Sequence, residues 1–343
     1  MLAEPEEILA AQPEYQLDFK QPCYGPIIQK RAQRWAYLAN NPKAVQAALR
    51  VYEREPWRFI TDWGCTHEPR NIEVGLPAHV PFILWPKQVE FVQWVLARWR
   101  GRQNGLVEKS RDSGVTWLAV AVACALCMLH PGIVIGFGSR KKEYLEKGAP
   151  KGIMEKVRQY MRMIPPAFRG EAWSEDQHIM SMRAMFPTTG SYITCECGDD
   201  IGRGDRTSIY FVDEAAHLEH PVTVDQALSQ TTNCQIDIST PFGTANTFAI
   251  KRYSGKVSVF TFHWRDDPRK GEEWYAEQLS KIVDPVTVAQ EIDISYTASV
   301  EGHHHSERAF RGVRGCTPET APAIQGRRSQ MRGAGHCRSR EKS

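Results

Sequence analysis

The chain has 343 residues, 42% hydrophobic and 24% charged, which places it with soluble globular proteins and allows one large or two ordinary domains. A net charge of +3 is too small to name a partner, the nine cysteines make no dense spacing pattern, and MLAEPEEILA is acidic where a secretory leader is basic, so a reducing cytoplasm is the expected compartment. The longest apolar run, TWLAVAVACALCML (116–129), has 14 residues against the ~20 of a membrane span, which predicts a buried helix and no membrane partner.

In chain order, residues 1–75 read as a helical N-terminal region with aromatics such as Trp35, Tyr52 and Trp57. FILWPKQVEFVQWV (82–95) predicts a helix beginning near Pro86, because proline suits a first turn. Gln88 on it can pair with an adenine edge, and Trp85 can offer a stacking face. NGLVEKS (104–110) predicts a strand, followed by a loop closing at Gly114 and the apolar helix from Thr116. Further strands are predicted at IVIGFGS (133–139), SYITCEC (191–197), SIYFVDE (208–214), CQIDIST (234–240) and VSVFTFHW (257–264). Cys124 and Cys127 have C-x-x-C spacing but sit inside the apolar helix, which favours core thiols over a zinc site.

Strands alternating with helices make residues 76–265 an α/β domain, a mostly parallel sheet covered by helices on both faces. Residues 266–302, from the turn-like DDPRKG into EEWYAEQLSKIV, read as a lid or linker. Residues 303–343 hold nine Lys/Arg and three Glu, a local charge of +6 that leaves −3 for the rest. With one aromatic, Phe310, this basic tail has too little apolar surface to offset its ordering entropy and is expected to be disordered.

On a parallel sheet, ligands gather at the carboxyl ends of the strands. EKSRDSGVTW (108–117) lies at such an end and nearly spells a phosphate loop, G-x-x-x-x-G-K-[ST]. Gly114 and Thr116 fall on the pattern, Val115 stands in the lysine position, and Lys109 stands where the first glycine would be. A loop wrapped around phosphates has these two positions on opposite sides, so a long side chain from either can reach inward. Backbone N–H groups near Gly114, with the helix dipole, would then face the phosphates of a nucleotide, and Ser110, Ser113, Gly114 and Val115 are the candidate binding residues of this loop.

Two more strand ends complete the pattern. SIYFVDEAAH ends in adjacent carboxylates: Asp213 is expected to hold Mg²⁺ with Thr116, and Glu214 to orient the attacking water. QIDISTPFG (235–243) places Ser239, Thr240 and Pro241 where hydroxyls sense a γ-phosphate and a fixed turn transmits the difference. GDDIGRGDRTS (198–208) presents Arg203 and Arg206 beside glycines, candidates either for an arginine finger or for contacts to DNA phosphate, with Arg111 a further cation within the phosphate loop.

LWPKQ, KSRDSGVTW, IGRGDRTSIYFVDEA and STPFG, in this order across roughly residues 55–300, resemble the large terminase subunit of tailed phages and prophages. The lysine at the front of the loop is characteristic of that family, so Lys109 is read as relocated rather than lost. The resemblance implies a P-loop NTPase of the additional-strand type that binds ATP and Mg²⁺ and translocates double-stranded DNA. It also implies a homo-oligomeric ring on a portal protein, the small terminase subunit as partner, and the cytoplasm of a bacterial host. An alternative is another helicase or translocase ATPase, or a prophage remnant that keeps the fold without turnover. The family further implies a ribonuclease-H-type nuclease domain. This sequence departs there: the last aspartate is Asp293, and only Glu307, Glu319 and Glu341 follow Gly302. Nuclease activity is therefore expected to be absent, and the tail is read either as the product of a shifted reading frame or as a native basic tail that touches DNA phosphates.

Overall fold

The computed structural model describes residues 15–149 and 151–297. The expectations for MLAEPEEILA and for the 303–343 tail lie outside the described residues.

Three proline-started helices, Gly25–Ala39, Pro42–Arg54 and Pro56–Trp63, open the described chain. A short antiparallel ribbon follows, β1 (Cys65–His67) against β2 (His79–Pro81). The helix Pro86–Gly101 then leads into the main sheet, made of β3 (Gly105–Lys109), β4 (Val134–Ser139), β5 (Arg183–Phe186), β6 (Ser191–Cys197), β7 (Ile209–Asp213), β8 (Gln235–Ser239) and β9 (Ser258–Phe262). The strand order is β5-β6-β4-β7-β8-β3-β9, and every pair is parallel except β5 with β6. β8 thus stands between β3 and β7, the inserted strand of the additional-strand P-loop class. The six strands expected from sequence are all present. β5, a four-residue edge strand, and the ribbon are too short to leave a periodic signal.

The helix Val115–Leu129 explains its own composition. It lies between the sheet and the N-terminal helices, and all its residues except Thr116 and Trp117 are buried. A helix apolar on every side is a helix buried on every side. Cys124 and Cys127 are core residues at 0% exposure, and burial pushes both thiols up. Among the described residues no helix is long and apolar enough to cross a membrane.

Two carboxylates lie within the central strands without breaking them. Glu108 on β3 accepts from Arg252 Nε at 2.6 Å, Thr261 Oγ1 at 2.7 Å and Tyr296 OH at 3.0 Å. Asp237 on β8 pairs with Lys251 and accepts from Gln235 Nε2 at 2.8 Å. Both cations come from one helix, Thr247–Tyr253, packed beside these strands. A buried carboxylate held by a cation and further donors avoids the cost of an uncompensated charge. Segment 266–297 carries the expected helix Glu272–Lys281 and a second, Pro285–Glu291, capped by Asp284.

Candidate active site

Four neighbouring strands end on a polar residue at the same edge: Ser139 on β4, Asp213 on β7, Ser239 on β8 and Lys109 on β3. The hydroxyls of Ser139 and Ser239 and the Oδ1 of Asp213 are buried without a hydrogen-bond partner. Orphaned polar atoms in such number are costly unless a ligand satisfies them. Ser139 gave no signal in sequence, because a serine ending IVIGFGS resembles any strand end.

These ends open into a cavity of about 430 Å³ lined by Lys109, Arg111, Asp112, Thr116, Ser139, Arg140, Tyr144, Lys151, Lys156, Asp213, Glu214, His217, Thr240 and Glu291. Lys109, Arg111, Thr116, Asp213, Glu214 and Thr240 are therefore brought together as the sequence suggested. Thr116 Oγ1 donates to Asp213 Oδ2 at 3.2 Å. Burial raises the Asp213 carboxyl above the aspartate range, while Lys109 opposes the shift and Glu214 adds to it. Glu214 sits at φ +56°, a left-handed conformation uncommon for a residue with a Cβ and typical of functional strain. Its Oε2 lies 3.8 Å from Nε2 of His217, whose ring centroid is 4.7 Å from that of Phe242. His217 thereby touches both the acidic strand end and the STPFG turn. Burial lowers the His217 pKa, and Glu214 and Glu291 oppose the shift.

The loop between β3 and the helix Val115–Leu129 is braced from the C-terminal side. Arg111 N donates to Glu291 O at 2.6 Å, Arg111 Nη1 reaches Glu291 Oε2 at 3.1 Å, and Lys270 Nζ donates to Asp112 O at 2.8 Å. Arg70 pairs with Asp112 at 3.0 Å. Gly114 adopts φ +71° as the helix cap, the conformation that glycine alone takes at little cost. Glu291 also accepts from Thr240 Oγ1 at 3.4 Å, so one carboxylate joins the loop to the β8 turn. Sequence could not single out Glu291, because its partners are 180 and 51 residues away.

The side chains of three residues singled out in sequence are already occupied. Ser110 is fully buried: its N–H donates to Phe262 O at 2.8 Å and so does not face a phosphate, and its hydroxyl donates to Ile292 O at 2.6 Å and accepts from Trp264 N at 2.9 Å, so it braces the loop from behind. Val115 is 1% exposed and packs in the core, so only its backbone can face a ligand. Trp85 is 6% exposed, with the Arg269 guanidinium 5.0 Å from its ring centroid and Phe19 edge-on at 5.9 Å. Its face is already covered, and it forms wall rather than a stacking platform.

Trp85 and Gln88 line a second cavity of about 430 Å³, which shares Asp112 with the first and includes Gly114, Trp117 and Arg269. Gln88 is 1% exposed and its Oε1 has no partner. The Ser113 hydroxyl is likewise buried and unpartnered. Pro241 is buried beside the exposed Phe242.

Arg203 and Arg206 do not line either cavity. Both are exposed on the loop after β6. That loop is held by Glu196, whose carboxylate accepts from Gly202 N at 2.6 Å, Gly204 N at 2.9 Å and Tyr210 OH at 2.7 Å. A Cβ on Gly204 would come within 2.3 Å of Glu196 Oε1, so the carboxylate that holds the loop would have to shift.

No family model and no curated protein matches the chain. Solved structures do. The large terminase of HK97 bacteriophage is similar at TM-score 0.52 and 14% identity, over 71% of this chain and 54% of that one. The large terminase ATPase domain of Thermus Phage P74-26 is similar at TM-score 0.43 and 18% identity, over 57% of this chain and 88% of that one. The large terminase of a thermophilic bacteriophage in complex with ADP is similar at TM-score 0.45 and 14% identity, over 62% of this chain and 54% of that one. The chain spans about half the length of the HK97 protein. At these identities the likeness establishes the fold alone, one shared with the HK97 large terminase.

Proposed function

We propose that the chain is an ATPase whose hydrolysis drives the translocation of double-stranded viral DNA, the motor activity of a large terminase. The contact between Thr116 and Asp213, inside a cavity where cations outnumber carboxylates, carries the reading. Nine of the lining residues are charged: five cations and four carboxylates. Arg111 is paired with Glu291 and Asp112 with Arg70, which leaves Lys109, Arg140, Lys151 and Lys156 against Asp213 and Glu214. Such a cavity favours a polyanion.

The roles follow from position. Backbone N–H groups at Ser113, Gly114 and Val115 face the phosphates, aided by the helix N-terminus. Lys109, 8% exposed and without an ion pair among the described residues, compensates phosphate charge. The Thr116 hydroxyl and the orphaned Asp213 oxygen suit Mg²⁺, which when bound supplies positive charge at the phosphate oxygens. Glu214 orients a water and takes its proton. Gln88 offers an amide to the base. Ser239, Thr240 and Pro241 relay the state of the terminal phosphate, with Glu291 linking that turn to Arg111.

The fold shared with the HK97 large terminase supports DNA packaging over other uses of a P-loop ATPase. On this reading the partners are double-stranded DNA, a portal protein and the small terminase subunit, and the active form is a homo-oligomeric ring in a bacterial cytoplasm. The test is ATP hydrolysis by the purified chain, with and without duplex DNA and a portal. Turnover that duplex DNA stimulates and Glu214→Gln removes is expected; a wild-type chain that neither binds nor hydrolyses ATP would overturn the reading.

A further inference from the structure

The roles above leave Lys156 without a task. It lies in the first turn of the helix Ile153–Met163, an element the sequence reading did not place at the site. It is half-buried, and its ammonium makes one hydrogen bond, to the Lys151 carbonyl at 2.5 Å. No carboxylate forms an ion pair with it among the described residues. Burial pulls its pKa down, and the field of Asp213 pulls it back.

Asp213 thus acts on two ammonium groups, Lys109 from β3 and Lys156 from the helix Ile153–Met163, and only Glu214 stands beside it as a further carboxylate of this cavity not held by an arginine among the described residues. That arrangement balances only while Asp213 is otherwise free. A divalent cation on Asp213 takes over its charge, and both ammonium groups then need another anion. Desolvated ammonium without a counter-charge is expensive. Lys109 is placed by the phosphate loop itself. Lys156 comes from a different element, on a wall of the cavity that the loop does not form.

We propose that Lys156 binds the terminal phosphate of the nucleoside triphosphate and is the residue by which the site tells triphosphate from diphosphate. The proposal rests on the nucleotide reading and adds to it a specificity residue outside the phosphate loop. ATP places a terminal phosphate where ADP has none, so the interaction belongs to ATP alone. Lys109, serving the phosphates the two nucleotides share, should not discriminate in this way.

The experiment is calorimetric titration of the full chain with Mg²⁺-ATP analogue (non-hydrolysable) and with Mg²⁺-ADP, for wild type, Lys156→Ala, Lys156→Gln, Lys156→Arg and Lys109→Ala. Melting temperatures of the free proteins are taken alongside. Lys156→Ala and Lys156→Gln should lose about tenfold or more in triphosphate affinity while diphosphate affinity stays within about twofold, the scale of one charge-assisted contact. Lys156→Arg should recover most of the loss, and Lys109→Ala should weaken both nucleotides. Should Lys156→Ala fold poorly, Lys156→Gln keeps the length of the side chain and supplies the comparison. An unchanged triphosphate-to-diphosphate ratio in both neutral variants overturns the proposal while leaving the nucleotide reading standing. A wild type that binds neither nucleotide overturns both.

Discussion

Thr116 and Asp213, 97 residues apart in sequence, meet across a 3.2 Å hydrogen bond at the carboxyl edge of the sheet. The bond satisfies one oxygen of the carboxylate and leaves the other, Oδ1, buried and unpartnered. Burial raises this carboxyl above its ordinary range. A carboxyl raised on folding adds stability only while protonated. That contribution is whole below the unfolded value, about 3.9, and is lost as pH rises through the raised folded value. At pH 7 the ionised group is a net cost to the ligand-free chain. Asp213→Asn should therefore raise the melting temperature at pH 7. The gain should shrink toward pH 4, and the variant should lose Mg²⁺-dependent nucleotide binding. Melting curves across that range decide it; a variant less stable than wild type at pH 7 would refute the cost assigned to Asp213.

Glu214 stands one residue further, in a left-handed conformation with His217 beside it. Glu214→Gln keeps the shape and removes the proton acceptor. Turnover should fall by roughly 10²–10⁴ with ATP affinity unchanged. His217→Ala should act differently, since the ring also packs on Phe242 of the STPFG turn. It should lower the stimulation of turnover by DNA more than basal turnover. Equal loss of both would mean that His217 serves only the acidic strand end.

Lys109→Ala should weaken ATP binding by about tenfold or more and lower the melting temperature of the free chain, because buried Asp213 loses one of the ammonium groups that compensate it. Moving the lysine back to the usual position is not expected to rescue it. Val115 is 1% exposed in the core, and Val115→Lys would bury a charge among leucines and alanines. Titration of the two single variants and the double variant tests both statements.

Much of this was legible in sequence because it is local. The strand-loop-helix around Gly114, the apolar strand exiting into Asp213–Glu214, and STPFG each lie within ten residues, and each ends at the same edge by the logic of a parallel sheet. What sequence could not show is contact at long range. Glu291, Lys270 and Arg70 brace the loop from 180, 158 and 42 residues away. Lys156 enters the cavity from a helix whose own periodicity announces only packing. Trp85 illustrates the converse: its composition suits base stacking, but Phe19 and Arg269 reach its ring first.

Gln88 presents a buried amide with an unpartnered Oε1 to the second cavity. If an adenine edge satisfies it, Gln88→Ala should erode selection of ATP over GTP by about tenfold, ~1.4 kcal/mol. Trp85→Ala should instead lower stability by about 3–5 kcal/mol, the usual cost of emptying a large aromatic site. Competition binding with the two nucleotides, read beside chemical denaturation, separates the roles. Selectivity unchanged in Gln88→Ala would remove the base contact.

The loop carrying Arg203 and Arg206 gives the last prediction. Both side chains are exposed and do not line the cavity, so the action on nucleotide proposed for them is on that of another subunit. Glu196 fixes the loop by accepting from two backbone N–H groups and the Tyr210 hydroxyl, which aims the arginines outward without engaging them. Mixing Arg203→Ala or Arg206→Ala subunits with Glu214→Gln subunits should restore part of the hydrolysis that neither has alone, since an intact finger would then face an intact site. An arginine finger is worth about 10³–10⁵ in rate, so even fractional recovery is measurable. Gly204→Ala puts a Cβ where Glu196 Oε1 lies, 2.3 Å away, and should reproduce the arginine defect in the mixture while the chain keeps its cavity and its affinity for ATP. If mixing restores nothing and the arginine variants lose affinity for duplex DNA instead, the loop contacts DNA phosphates. Salt dependence would confirm that outcome, with the slope of log affinity against log salt falling by about 0.9 for each phosphate contact removed.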